Sequence, residues 1–191
     1  MGKREDRSVA LARQANACYA DHALISQASD RWIIGRPGSS AFRTEVINLT
    51  LGGVYVGGDI DHLIFRYSQD EGIERVRWMS RRRDAADSYF LEKASIGSGR
   101  KLVYAWDLAV ALDDLADINP EDYGMTADGL SDLLESLESS VCQYDFQSRL
   151  HEHGSFDDDD LKYGEIPDQR CYHVMAALKK LDALTPLDEE A

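Results

Sequence analysis

The sequence lacks the segments that would place it in a membrane or in a secretory pathway. None of its runs approaches the roughly 18 consecutive apolar residues of a transmembrane helix. The charged start MGKREDRSVALARQ has no apolar signal-peptide core. Three cysteines at distant positions (Cys18, Cys142 and Cys171) do not predict a disulfide framework. These absences favour a cytoplasmic protein that does not associate with membranes.

Specific catalytic and nucleotide-binding motifs are also lacking. The chain contains no GxSxG elbow, no GxGxxG after a strand and no GxxxxGK[ST] loop. His151 and His153 are two residues apart, whereas a helical zinc site needs a spacing of four. The sequence therefore predicts a protein that is not an enzyme and holds no cofactor.

One short cluster, GGDIDH at 57–62, contains side chains that could bind a metal. Asp59, Asp61 and His62 could hold Mg²⁺ or Mn²⁺, since carboxylates and imidazole suit these ions. A turn explains the same residues and is favoured, because glycine adopts positive φ and aspartate bonds turn backbone. A metal-dependent enzyme acting on a nucleotide is thus the alternative prediction.

Basic residues are missing from a long stretch of the chain. Lys plus Arg total 21 against 35 Asp plus Glu, a net charge of −14. Residues 1–100 hold 15 basic and 13 acidic side chains, residues 101–191 hold 6 and 22, and residues 102–148 hold no Lys or Arg. Such a field repels nucleic acids and anionic lipids and attracts basic protein surfaces. We expect no direct DNA binding.

The acidic residues follow a helical pattern, which predicts a surface that binds a basic partner. An ordinary solvated helix face is the alternative, although the absent i to i+4 lysines and arginines count against it. The predicted partner-binding residues lie on two successive helices and in a following loop: Asp107, Asp114, Asp117, Asp128, Asp132, Glu135, Glu138, Asp157, Asp158, Asp159 and Asp160.

A cluster of arginines is the exception to this acidity. It could grip RNA or phosphate, although pairing with acidic groups of the same protein or of a second subunit is favoured. Its members lie within nine residues around Trp78: Arg75, Arg77, Arg81, Arg82 and Arg83. The sequence leaves open whether the protein forms a homodimer.

Periodicity predicts an α+β fold in a single domain over residues 1–191. A helix is expected at 1–28, an antiparallel β-meander of four to five strands at 31–79, and an acidic helical half at 81–185. The tail at 186–191 is expected to fray. Thr126 is placed to cap a helix whose apolar stripe extends from Leu130 to Val141.

The same periodicity assigns three further features. His22 shares the apolar face of the first helix, which favours a core or edge histidine. Residues Arg75–Trp78 are expected to form the last strand of the meander. A last helix is expected from about Gln169 to Leu184.

The meander resembles small proteins of tailed phages and prophages. The likeness covers residues 31–67, about a fifth of the chain, and is carried by Arg36-Pro37, Phe42, Glu45-Val46, Gly58 to Asp61 and Ile64-Phe65. It implies a phage origin, and small acidic phage proteins often disable host defences, as anti-CRISPR proteins do.

Charge and resemblance together predict a non-enzymatic inhibitor. Its acidic surface would mimic nucleic acid and block a basic, nucleic-acid-binding protein or complex of the host. The alternative prediction is an immunity protein or antitoxin, which would use the same acidic surface to neutralise a basic toxin.

Overall fold

The chain divides into two compact units with separate hydrophobic cores. The computed structural model describes residues 3–50, 52–59, 62–67, 72–153, 156 and 163–185. We call residues Ser8–Tyr104 and Pro167–Ala191 the sheet unit, and Met1–Arg7 and Ala105–Ile166 the acidic unit. The sequence predicts a single domain, because it contains no linker long enough to separate two domains. The predicted fraying tail at 186–191 lies outside the described residues.

The sheet unit contains the predicted antiparallel meander, which confirms the α+β fold class. Five strands pair in chain order: β1 (Ala23–Ala28), β2 (Arg31–Gly35), β3 (Thr44–Leu49), β4 (Gly53–Gly58) and β5 (Leu63–Arg66). Alternate side chains point to opposite faces of a strand, so one face can be fully buried while the other is partly exposed. The buried apolar side chains of the sheet are Trp32, Ile34, Val46, Val54, Val56, Leu63 and Phe65.

Helices complete the core of this unit. They are α1 (Lys3–Tyr19, in this unit from Ser8 onward), α2 (Gly72–Arg82), α3 (Ser88–Ser98), α4 (Arg100–Val103) and α8 (Gln169–Leu184). Helix α8 begins where the Asp168 carboxylate accepts the Arg170 N–H at 2.9 Å, and its bounds confirm the predicted last helix. It packs against α2, while α3 packs along β5. No helix in the described ranges is long and apolar enough to cross a bilayer.

The N-terminal helix is shorter than the predicted span of 1–28. It ends at Tyr19, and the next segment forms β1 and pairs with β2 across the Ser29–Asp30 turn. Residues 20–28 fit both the helical period of 3.6 and the strand period of 2. In short apolar segments of this kind, pairing with a neighbouring strand determines which structure forms. His22 is 3 % exposed, which confirms the prediction of a core histidine.

The predicted strand around Arg75–Trp78 is also wrong, because this segment belongs to α2. Two alternations of arginine with an apolar residue are too few to distinguish period 2 from period 3.6. In the helix, Arg75, Trp78 and Arg82 stand at i, i+3 and i+7, so they share one face. The meander therefore ends with β5 rather than at residue 79.

The acidic unit is helical, as predicted for this half. It contains α5 (Leu108–Ala116), a 3₁₀ turn (Pro120–Tyr123), α6 (Ala127–Leu137) and α7 (Gln143–Glu152). Its core comprises Ala111, Leu115, Leu130, Leu133, Leu137, Phe146, Leu150 and Phe156. Val141, expected to extend the leucine stripe, is 86 % exposed because α6 ends before it. Two short strands, β6 (Tyr104–Trp106) and β7 (Glu165–Pro167), pair with each other.

One edge of the five-stranded sheet is covered by α3. The Ser98 hydroxyl accepts the Ile64 N–H and lies 3.2 Å from the Ile64 carbonyl oxygen, so it occupies the hydrogen-bonding edge of β5. This contact needs Gly97, because a Cβ there would overlap the Ile64 carbonyl. An open strand edge favours unwanted pairing with other chains, and α3 closes this one.

Gly97→Ala should destabilise the sheet unit by about 2 kcal/mol or more, because the new methyl group forces α3 away from β5. Gly129→Ala is the matched control, since its Cβ would meet Thr126 Oγ1 at 3.4 Å and Met125 Cβ at 3.7 Å, which are ordinary van der Waals contacts. We expect the control to be neutral or slightly stabilising, by up to about 1 kcal/mol. Urea unfolding of both variants tests this, and equal stability of the two would refute the close approach.

His22 is a buried histidine that bonds a strained residue. Its Nε2 lies 3.0 Å from the carbonyl oxygen of Phe42, which has a left-handed φ of 57°. Its Nδ1 has no hydrogen-bond partner among the described residues. Burial lowers the pKa of His22, and the positive charges of Arg36 and Lys180 add to this effect. Protonation therefore costs free energy in the folded protein.

The lowered pKa predicts a pH dependence of folding. The unfolded chain takes up a proton near pH 6.5 while the folded protein does not, so stability is full above that pH and falls as the pH drops toward the folded pKa. His22→Gln keeps a donor for Phe42 but cannot titrate. We expect its unfolding free energy to fall less between pH 7.5 and 5.5 than that of the wild type. Exposed His62→Gln is the control, and an unchanged profile in His22→Gln would contradict the assignment.

Candidate interaction surface

Helix α6 has one buried face and one charged face. It begins where the Thr126 hydroxyl accepts the Gly129 N–H at 3.1 Å, which confirms the predicted cap. Leu130, Leu133 and Leu137 are buried in the core of the acidic unit. Because the leucines occupy one side, the residues between them must face outward.

The outward face of α6 carries four exposed carboxylates. Asp128, Asp132, Glu135 and Glu138 cover an arc of about 120° opposite the leucines, at 100° per residue. Along the helix axis, successive positions are separated by about 4.5 to 6 Å, given a rise of 1.5 Å per residue. The sequence prediction for these four residues therefore agrees with their exposure.

Three further exposed carboxylates precede α6 in the chain. Asp117 follows α5, and Glu121 and Asp122 lie in the 3₁₀ turn. Sequence reasoning missed the last two, although Pro120 signals a helical turn whose first positions favour acids. We call these seven carboxylates the acidic surface. None of the seven forms an ion pair with the part of the chain that the structure describes.

Two of the predicted acidic residues instead stabilise the unit. Asp107 caps α5 by accepting the Val110 N–H at 3.0 Å, and it also pairs with Arg7. Asp114 accepts the Gly164 N–H at 2.9 Å. Partly buried carboxylates are the natural partners of unpaired backbone N–H groups, so these two contribute to folding. Asp157, Asp158, Asp159 and Asp160 lie outside the described residues.

The net charge of the protein is confined to the acidic unit. That unit contains 5 basic and 19 acidic side chains, a net charge of −14, whereas the sheet unit contains 16 of each and is neutral. The charge counts of residues 1–100 and 101–191 do not show this division clearly, because α8 follows the acidic unit in sequence and belongs to the sheet unit. The division marks the acidic unit as the source of the electrostatic field.

Arg149 is the one arginine in the 105–166 sequence, and its guanidinium bonds to other groups of the acidic unit. Its guanidinium contacts Asp145 at 3.0 Å, the Ser136 carbonyl at 3.0 Å and the Ser139 hydroxyl at 2.8 Å. The Val141 N–H and Arg149 both donate to Asp145 and hold the pKa of its carboxyl below the ordinary value. Arg149 therefore does not neutralise the acidic surface.

The arginine cluster, which lies on α2 and at Arg83 just after it, is largely paired within the sheet unit. Arg77 bonds Glu74, Arg81 bonds Asp182 and Arg83 bonds Asp87, at 2.7 to 2.9 Å. These ion pairs confirm the internal pairing that the sequence favours, with partners in the sheet unit.

The other two arginines of the cluster lie against aromatic rings. Arg75 donates to the Tyr89 hydroxyl and lies 4.5 Å from the centroid of the Trp78 ring. Arg82 is exposed and lies 5.8 Å from the same centroid. Both contacts are cation–π interactions, which hold the guanidinium groups over the helix face.

Part of the alternative metal site forms the turn that the sequence favours. The Asp59 carboxylate accepts the Arg43 N–H at 2.8 Å, and the Asp59 N–H donates to the Arg43 carbonyl. His62 stacks on Tyr55, with ring centroids 6.1 Å apart. Asp61 lies outside the described residues, and within the described ones no three His, Cys, Asp or Glu side chains converge on a metal site.

Comparisons of this chain with protein-family models, with curated proteins and with solved structures find no match.

Repulsion among the carboxylates of the acidic surface should lower the stability of the acidic unit. Glu135→Lys places a cation three residues from both Asp132 and Glu138, and it converts two repulsions into attractions worth about 0.3 kcal/mol each. We expect a higher unfolding temperature at low salt, with the gain shrinking as salt screens the charges. Asp21→Lys is the control, because Asp21 is exposed on the sheet unit and forms no ion pair among the described residues. A destabilised Glu135→Lys variant with intact secondary structure would contradict the absence of local counter-charges.

Proposed function

We propose that this protein is a non-enzymatic inhibitor that presents the acidic unit to a basic, nucleic-acid-binding surface of another protein. The observation that supports this is the concentration of the whole net charge in one unit, seven of whose carboxylates are exposed and form no ion pair with the described residues. Natural helices usually intersperse cations at i to i+4 spacing, which would improve their stability. A surface that forgoes this gain is explained by a function that needs the charge.

The spacing of the charges suits nucleic-acid mimicry. Phosphates of one DNA strand follow one another at 3.4 Å along its axis, and the carboxylates of α6 at about 4.5 to 6 Å, so the linear charge densities are of the same order. A groove that binds phosphates through lysine and arginine would attract the acidic unit from a distance. Association should be fast and should weaken as salt rises.

The resemblance of residues 31–67 to small phage proteins supports a viral setting for this activity. We infer that the protein is phage-encoded and acts in the host cytoplasm on a defence complex that holds nucleic acid, in the manner of an anti-CRISPR protein. An antitoxin for a basic toxin would use the same surface, and only the identity of the partner distinguishes the two.

Asp128→Lys combined with Asp132→Lys should raise the dissociation constant for the partner more than tenfold, because both substitutions reverse charge at the centre of the contact. The tagged wild type and variants are incubated with host lysate at low and high salt, and captured proteins are identified by mass spectrometry. The wild type should retain a nucleic-acid-binding complex that high salt releases.

Asp21→Lys combined with Glu92→Lys is the matched control. Both residues are exposed on the sheet unit, so the net charge changes equally while the acidic surface stays intact. The control should capture the same complex as the wild type. Equal capture by the α6 double variant would refute the proposal, and capture of a basic toxin instead would establish the antitoxin alternative.

A further inference from the structure

One face of α7 forms a shallow depression on the acidic unit. Its volume is about 500 Å³, and it is lined by Tyr144, Gln147, Ser148, His151 and Glu152. The first four stand at i, i+3, i+4 and i+7, so they follow a single line along the helix. The opposite face of α7 buries Phe146 and Leu150 in the core, which fixes the orientation of the depression toward the surface.

Tyr144 has no evident role in holding the fold together. Its side chain is 80 % exposed, and within the described residues it makes no hydrogen bond or ring contact. Tyrosine is enriched at the energetic centres of protein interfaces, because it combines a large rigid ring with a polar end. An exposed tyrosine beside a depression is therefore a candidate contact for a partner.

The chemistry of this face selects a cation with a flat, delocalised charge. Glu152, at the other end of the depression, supplies a carboxylate, and the unit around it has a net charge of −14. A guanidinium stacks on an aromatic face and bonds a carboxylate with two parallel N–H groups, whereas an ammonium does neither as well. The sheet unit contains such a stack, with Arg100 at 4.6 Å from the centroid of the Tyr104 ring.

We propose that this face of α7 binds an arginine-rich segment of the basic partner. One guanidinium would stack on Tyr144 and a second would pair with Glu152, about 12 Å further along the helix axis. An extended segment spans that distance with arginines three to four residues apart. This inference rests on the proposed function and adds to it, because the acidic surface attracts any cation while the depression favours arginine over lysine.

The test uses fluorescently labelled peptides of nine arginines and nine lysines as probes. Both have the same charge, so anisotropy titrations separate the preference for arginine from general attraction. The wild type should bind nona-arginine roughly threefold more tightly than nona-lysine, as expected for one exposed cation–π contact. Tyr144→Leu should reduce the preference to what the carboxylates alone give, whereas Tyr144→Phe, which keeps the ring, should retain it in full.

Ile96→Ala is the control for loss of an exposed apolar side chain, since Ile96 is 60 % exposed on the sheet unit. It should behave as the wild type does. Equal affinity for the two peptides, or an arginine preference that Tyr144→Leu leaves undiminished, would overturn the inference and leave the proposed function intact. Failure of both peptides to bind at low salt would overturn the proposed function as well.

Discussion

The burial of Leu130, Leu133 and Leu137 is the constraint on which the acidic surface depends. Once these side chains enter the core of the acidic unit, the opposite face of α6 has to point to solvent, and Asp128 and Glu135 are carried outward with it. Thr126 fixes where the helix begins and so sets the register of both faces. The hydrophobic effect thus stabilises an arrangement of like charges that electrostatics alone opposes.

The two units differ in net charge and in the size of their hydrophobic cores. The sheet unit is neutral, has the larger set of buried residues and pairs three of its five clustered arginines with its own acids. The acidic unit has a small helical core and carries the entire net charge. In the proposed function, one unit provides stability while the other presents carboxylates that form no ion pair among the described residues, and a cost in stability of this kind is expected at a functional surface.

Much of this arrangement could be predicted from local sequence. The meander, the last helix and the exposed side of α6 follow from periodicity, turns and a capping threonine, all of which act within a few residues. The strand at Ala23–Ala28 and the helix at Gly72–Arg82 could not, because a short segment satisfies both periods and its pairing partners decide. Asp114 accepts the N–H of Gly164, 50 residues further along the chain, so its sequence spacing gave no sign of this role. Asp107 pairs with Arg7 of a distant segment, although its bond to the Val110 N–H is a local helix cap that the sequence could have shown.

Competition between this protein and a nucleic acid for one surface is the central claim. The direct measurement is a titration of the captured partner, loaded with a fluorescent duplex or guide RNA, in which anisotropy follows the release of the nucleic acid. We expect complete displacement, with an apparent affinity that falls when more nucleic acid is present. A stable ternary complex, in which the labelled nucleic acid stays bound while the protein joins it, would contradict mimicry and place the contact elsewhere.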